Sequence, residues 1–158
     1  ANVLRAAWLP KVTDGWFFRA ETFFSVARYQ DEVAQKYGGT PPDFLSHSHG
    51  EGFMRFFSER MTRQGITFMD EPESALSPKR QIELLKVLKG IQGAANAQVI
   101  MATHSPILMA LPGADVQQIT KSGVAPVDFR DTAHFSLYRQ FIRDPQGFIT
   151  EALEDDIL

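Results

Sequence analysis

The stretch Gly65–Pro78, GITFMDEPESALSP, decides how the rest of the chain is interpreted. It contains the uncharged run Ile66–Met69 between a glycine and a proline, which predicts a short buried strand and not a helix. A strand without polar alternation is typical of a parallel sheet covered on both faces. Asp70 and Glu71 follow at once, at the end of the strand where open α/β sheets bind ligands. We therefore expect this pair to hold a metal ion and polarise water, although acidic turns after strands are also common.

A second apolar run, residues 98–102, follows a helix that should begin at Pro78 with Ser77 as its N-cap. Strand, helix and strand at this spacing form a βαβ unit, so the two strands should be parallel. The motif Thr103–Ser105 follows the second strand. We therefore expect His104 at the same edge of the sheet as the acidic pair, although a capping or core histidine is the simpler alternative.

Hydrophobic spacing predicts the remaining elements. Residues 1–19 are predicted to form an irregular segment with one short extended piece at 16–19. The helix that begins at Pro78 should end at Gly90 or Gly93. The other predicted elements are a helix over about 21–36, a helix capped by Ser46 or Ser48 and reaching Met61, a short helix near 106–110, a hairpin of Val116–Thr120 and Val124–Phe129, a helix over about 131–143 broken by Pro145, and a last helix over 146–153.

Composition describes an ordinary globular chain of 158 residues with 44% hydrophobic and 22% charged residues. Thirteen phenylalanines predict a core rich in ring packing. The absence of cysteine excludes disulfides and thiolate chemistry within these residues and fits a cytoplasmic location. A net charge of −3 gives a nucleic-acid partner no support, although a local basic patch would be compatible with one, and no apolar run is long enough to span a membrane.

The segment Ser48–Gly52 leads into an amphipathic helix. Glycines in the first turn of a helix leave backbone N–H donors uncovered, and such donors attract phosphate groups. The alternative is that Gly50 and Gly52 only permit close helix packing.

Together these segments resemble the second half of an ABC-type ATPase domain of the P-loop superfamily. They are most similar to AAA-family ATPases with an SMC-like, non-transporter core. Ile66–Glu71 is similar to Walker B, Ser74–Ser77 to the D-loop, Thr103–Ser105 to the switch-histidine motif, and Ser48–Glu51 to a variant ABC signature. Three positions depart from the pattern: Ser77 replaces the usual aspartate, His49 the usual glycine, and Glu51 the commoner glutamine.

The resemblance implies an α/β fold with three layers and a mostly parallel sheet of the P-loop NTPase type. It implies one partial ATPase domain over residues 1–158, with a helical signature subdomain at about 20–63, a sheet core at about 64–130 and C-terminal helices at about 131–158. No G-x-x-x-x-G-K-[ST] motif and no Gly-Lys pair occur. We therefore expect the N-terminal Walker A half to be missing, and this chain alone to be inactive as an ATPase.

In the intact family, ATP lies between two protomers, so the resemblance implies a homodimer on ATP binding with Mg²⁺ as cofactor. Asp70 would hold Mg²⁺, Glu71 would orient the attacking water, and His104 would contact the γ-phosphate. The remaining implied nucleotide-binding residues lie in the signature and the D-loop: Ser48, Gly50, Glu51 and Ser77.

Three alternatives remain open. One is a degenerate, non-catalytic ATPase module that serves as a dimerisation or partner platform, which the departures at His49 and Ser77 favour. Another is a nucleotide-independent metal hydrolase that uses four ligands: Asp70, Glu71, Glu73 and His104. The third is a zinc site formed by the histidines His47, His49 and His104.

Overall fold

A computed structural model of the chain describes residues 14–41, 49–61 and 64–154. The chain divides into two compact units, Ala1–Thr103 and His104–Leu158. The N-cap predicted at Ser46 or Ser48 lies outside the described residues, as does His47.

The first unit is built on a three-stranded parallel sheet with strand order β1-β2-β3. The strands are β1 (Gly15–Arg19), β2 (Gly65–Asp70) and β3 (Ala97–Ala102). The parallel pairing of β2 with β3 confirms the predicted βαβ unit. The extended piece predicted at 16–19 is longer than expected and pairs in parallel with β2 along its whole length, from Gly15 opposite Ile66 to Arg19 opposite Asp70.

A close backbone approach fixes the start of the central strand. A side chain at Gly65 would place its Cβ 2.5 Å from the carbonyl oxygen of Asp14, so only glycine fits there. The next amide, that of Ile66, donates a hydrogen bond to the same carbonyl oxygen at 3.1 Å. The glycine that bounds the apolar run in the sequence is therefore the residue that allows β1 to pair with β2.

Three helices accompany this sheet: α1 (Ala20–Lys36), α2 (His49–Arg60) and α3 (Pro78–Ala94). The helix α3 was predicted to end at Gly90 or Gly93; it continues past Gly90 and ends at Ala94, one residue after Gly93. Each glycine costs a helix only about 1 kcal/mol relative to alanine, and buried Leu88 and Ile91 anchor the last turns. The helix ends where Ala95 adopts a left-handed conformation with φ of 51°.

The core of the first unit is a cluster of phenylalanine rings, as the composition predicts. Phe18 of β1 lies 4.8 Å, centroid to centroid, from Phe57 of α2, and Phe23 of α1 lies 4.2 Å from Phe53 of α2. Phe53 and Phe57 have no exposed surface. Rings from a strand and two helices therefore bind α1 and α2 to the face of the sheet that carries Phe18.

The opposite face of the sheet carries exposed apolar side chains. Phe17, Phe68 and Ile100 lie side by side in the strand register and are 64%, 41% and 46% exposed. The expectation that β2 is packed on both faces is therefore wrong at Phe68. In the first unit, α1 and α2 pack on the Phe18 face, so the predicted third layer is not confirmed.

The second unit contains three helices and a hairpin among its described residues. Its elements are α4 (Pro106–Met109), the antiparallel strands β4 (Gln117–Thr120) and β5 (Gly123–Pro126), a 3-10 turn (Phe129–Asp131), α5 (Ala133–Arg143) and α6 (Pro145–Glu154). The predicted hairpin is confirmed, although its second strand ends at Pro126 and not at Phe129. Pro145 both ends α5 and occupies the first position of α6.

None of the helices within the described ranges combines the length and the hydropathy needed to cross a lipid bilayer.

Candidate active site

The candidate site is built on the carboxyl ends of the three parallel strands. Arg19, Asp70 and Ala102 are register partners at these ends, so the chain leaves β1, β2 and β3 along one edge of the sheet. In open α/β sheets this edge is where ligands bind. The predicted acidic pair therefore lies at the expected edge of the fold.

Asp70 forms an ion pair with Arg19, the last residue of the neighbouring strand. The Arg19 Nε and Nη2 atoms lie 2.8 and 2.7 Å from the same carboxylate oxygen, Asp70 Oδ2. The two side chains are 48% and 34% exposed. Sequence reasoning missed Arg19, because its position in the site depends on the pairing of β1 with β2, which was not predicted.

Glu71 follows the last residue of β2 and adopts a left-handed backbone conformation, with φ of 45° and ψ of 56°. Its N–H donates to the Ala102 carbonyl oxygen at 2.9 Å, which continues the sheet hydrogen bonds beyond Asp70. Its carbonyl oxygen accepts from the Ser74 N–H at 3.1 Å and the Ser74 hydroxyl at 2.8 Å. A non-glycine residue in this region costs roughly 1–2 kcal/mol, and such strain is concentrated at functional sites.

A second hydrogen bond holds the segment Glu71–Glu73, called the acidic turn below, to the residue that follows β3. The Thr103 hydroxyl donates to Glu73 Oε2 at 2.7 Å. Glu73 belongs to the 3-10 segment Pro72–Ala75, whose first residue is buried. The acidic turn is thus held to β3 through the Glu71 amide and through the Glu73 carboxylate.

Ser77 occupies the position that the sequence predicts, at the N-cap of α3. Its hydroxyl accepts from the Arg80 N–H at 3.4 Å, and Pro78 follows as the first helical residue. In the next turn the buried side-chain amide of Gln81 donates to the Leu76 carbonyl oxygen at 3.0 Å. These bonds fix where the D-loop-like segment ends and the helix begins.

His104 is the first residue of the second unit. Its ring lies 4.7 Å from the ring of His134, centroid to centroid, with an angle of 34° between the planes. Ser105 caps α4 by accepting from the N–H groups of Ile107 and Leu108. No sequence pattern pointed to His134, which lies in the first turn of α5. The predicted proximity of His104 to the acidic pair stays a prediction.

The signature-like segment is described in part. The helix α2 begins at His49, so Gly50 and Glu51 lie in its first turn, as expected. Ser48 and the side chains of residues 49–51 lie outside the described part of the structure. The phosphate-binding role of Ser48, Gly50 and Glu51 therefore stays a prediction.

The carboxylate oxygens at the carboxyl ends of the strands suit a magnesium ion that also binds a phosphate ligand. Asp70, Glu71 and Glu73 offer the oxygen ligands that Mg²⁺ prefers. In the described parts of the chain, no group of three or more His, Cys, Asp or Glu side chains is placed to hold a metal. Because Mg²⁺ is usually held by one or two carboxylates with phosphate oxygens and water, such a group is not required. The all-protein site of the metal-hydrolase alternative does require one.

Residues 19–110, more than half of the chain, match the family described as "AAA domain, putative AbiEii toxin, Type IV TA system". The chain belongs to this family, and it is thus an AAA-family, P-loop ATPase-like domain. The match includes β2, the acidic pair and His104, and it confirms the resemblance at the level of the AAA family. No match was found among curated proteins.

Proposed function

We propose that this chain carries the hydrolytic half of a Mg²⁺-dependent ATPase site of the ABC type, with each site shared between two protomers. The observation that carries the proposal is the placement of Asp70 and the strained Glu71 at the carboxyl edge of a parallel sheet, in a chain of the AAA family. An acidic residue held in a costly backbone conformation at a ligand-binding edge supports a chemical role more than a structural one.

Asp70 holds Mg²⁺ in this proposal, directly or through water, and the ion would neutralise charge on the β- and γ-phosphates. Glu71 accepts a proton from the attacking water and orients it. His104 donates to the γ-phosphate. Phosphoryl transfer needs mostly positioning and charge compensation, so these few side chains on rigid strand ends suffice.

The other side of each nucleotide is contacted by the partner protomer. The first turn of α2 supplies N–H groups to the partner's γ-phosphate, because a helix N-terminus with glycine binds anions. The resemblance to the signature adds the Ser48 hydroxyl to this proposal. Glu51 and Ser77 line the same interface. The P-loop lysine comes from outside these 158 residues, which contain no Gly-Lys pair.

Steady-state ATP hydrolysis tests the proposal in a protein that carries a P-loop half followed by these residues. Glu71→Gln removes the proton acceptor, and loss of a general base costs about 100-fold or more in turnover. Size-exclusion chromatography with light scattering should then show an ATP-bound dimer that persists. The 158 residues alone should show negligible turnover.

Glu83→Gln is the matched control for this experiment. It makes the same chemical change on α3, where Glu83 pairs with Arg80 at 2.6 Å and has no part in the proposed site. The control should hydrolyse ATP at the unmodified rate. Unchanged turnover in Glu71→Gln would remove Glu71 from the catalytic role.

A second candidate is a degenerate ATPase module that dimerises with nucleotide but does not hydrolyse it. The Arg19–Asp70 ion pair favours it, because the carboxylate expected to bind Mg²⁺ already has a cationic partner. ATP-dependent dimerisation without phosphate release, in the protein with its P-loop half, would favour this candidate over the first.

A further inference from the structure

The Arg19–Asp70 pair places a fixed cation on the carboxylate that the proposed function assigns to the metal. Both guanidinium contacts, at 2.8 and 2.7 Å, end on Asp70 Oδ2. The strand register sets the pair, since Arg19 and Asp70 are direct neighbours across β1 and β2. The pairing of β1 with β2 therefore holds the Arg19 side chain beside Asp70.

We propose that Arg19 competes with a divalent cation for Asp70, so that the guanidinium lowers the affinity of this carboxylate for the metal. The inference rests on the proposed metal role of Asp70. A divalent ion binds a carboxylate oxygen at about 2.0–2.1 Å in the case of Mg²⁺, a position where the Arg19 charge on the same oxygen repels it. Both cations draw on the negative charge of one carboxylate, so each weakens the binding of the other.

The surroundings of Arg19 allow this exchange. Its side chain is 48% exposed, and exposed ion pairs are held only weakly. Its guanidinium carbon lies 5.5 Å from the centre of the Phe17 ring, a cation–π contact that does not depend on Asp70. The residue is the N-cap of α1 through its backbone alone, without a side-chain capping bond, so the helix start does not depend on where the side chain lies.

Arg19 therefore acts through Asp70: it is a positioning residue, and its departure from the carboxylate raises the affinity of Asp70 for the metal. With Mg²⁺ alone the exchange is disfavoured. A nucleotide that brings the metal also brings phosphate oxygens, which attract the displaced guanidinium. The Arg19–Asp70 ion pair therefore favours binding of the metal–nucleotide complex over binding of the free metal ion.

The test measures the affinity of the chain for Mn²⁺ alone, by electron paramagnetic resonance of the free ion. Arg19→Gln should lower the Mn²⁺ dissociation constant by up to about 5-fold, which corresponds to the roughly 1 kcal/mol at the upper end for an exposed ion pair. Arg19→Lys keeps the charge and should fall between the two. Arg55→Gln is the matched control, because Arg55 pairs with Glu59 on α2 at 2.8 Å and at similar exposure, and it should leave the constant unchanged.

Asp70→Asn separates this inference from the proposed function. If it weakens Mn²⁺ binding while Arg19→Gln leaves the affinity unchanged or lower, the competition is overturned and the metal role of Asp70 stands. If Asp70→Asn leaves Mn²⁺ binding unchanged, both are overturned. Urea unfolding of each variant confirms that the compared proteins are folded.

Discussion

Glu71 is the residue at which sequence motif and backbone geometry coincide. We propose from the motif that it activates water, and the backbone holds it at a φ of 45°. Three hydrogen bonds impose this conformation, one from the Glu71 amide to β3 and two from Ser74 to the Glu71 carbonyl oxygen. The position thus keeps an acidic residue where glycine would be the least strained choice.

Because the backbone at position 71 favours glycine and the proposed chemistry needs glutamate, replacing Glu71 by glycine should raise stability and lower turnover. Glu71→Gly relieves roughly 1–2 kcal/mol of left-handed strain and adds about 0.5–1 kcal/mol of chain entropy to be lost on folding. We expect a net gain of roughly 0.5 kcal/mol in the free energy of unfolding, measured by urea titration, together with loss of ATP turnover. Glu71→Ala lacks the relief and should not be stabilised. A Glu71→Gly protein less stable than Glu71→Ala would contradict the strain.

Residue identity alone predicted one side of the site and not the other. Asp70 and Glu71 could be found because they directly follow an uncharged run, which identifies them as a strand end. Arg19 could not, because nothing near it in the sequence shows which strand lies beside β1. His134 is similar, since its ring meets His104 only through the packing of the second unit.

At the scale of elements, start signals in the sequence were more reliable than stop signals. Ser77 and Pro78 begin α3 where predicted, because a cap and a proline act locally. Gly90 and Gly93 did not end the helix, because buried side chains on its face outweigh the small cost of glycine. Local chemistry fixes helix starts, whereas tertiary packing decides how far a helix runs.

The cap of α3 can be separated from the D-loop role proposed for the same residue. Ser77→Ala removes the hydroxyl that accepts from Arg80, and the 3.4 Å distance places its cost at the low end of the capping range, about 0.5 kcal/mol. Ser77→Asp keeps an acceptor and adds negative charge at the helix start, so its unfolding free energy should equal or exceed that of the parent. Urea unfolding measures both. An aspartate variant as unstable as the alanine variant would contradict the capping role.

At the scale of the whole molecule, the sequence predicted the class of fold but not which residues of the sheet are left exposed. The βαβ unit and the parallel pairing of β2 with β3 were predicted, because the strand–helix–strand spacing permits little else. The sequence did not show that Phe17, Phe68 and Ile100 are the exposed residues, because an apolar run looks the same whether one face or both are covered. A surface of this kind promotes self-association.

The central proposal is that Asp70, at the end of β2 in the first unit, holds the divalent ion of the nucleotide site. Mn²⁺ bound at Asp70 would broaden the proton signals of nearby groups. The decisive measurement is the amide-proton NMR spectrum during Mn²⁺ titration, with the Glu71 amide signal assigned.

We expect the Glu71 amide signal to disappear at substoichiometric Mn²⁺ and to persist in Asp70→Asn. A sharp Glu71 amide signal in the unmodified chain, under conditions where the chain binds Mn²⁺, would contradict the proposal.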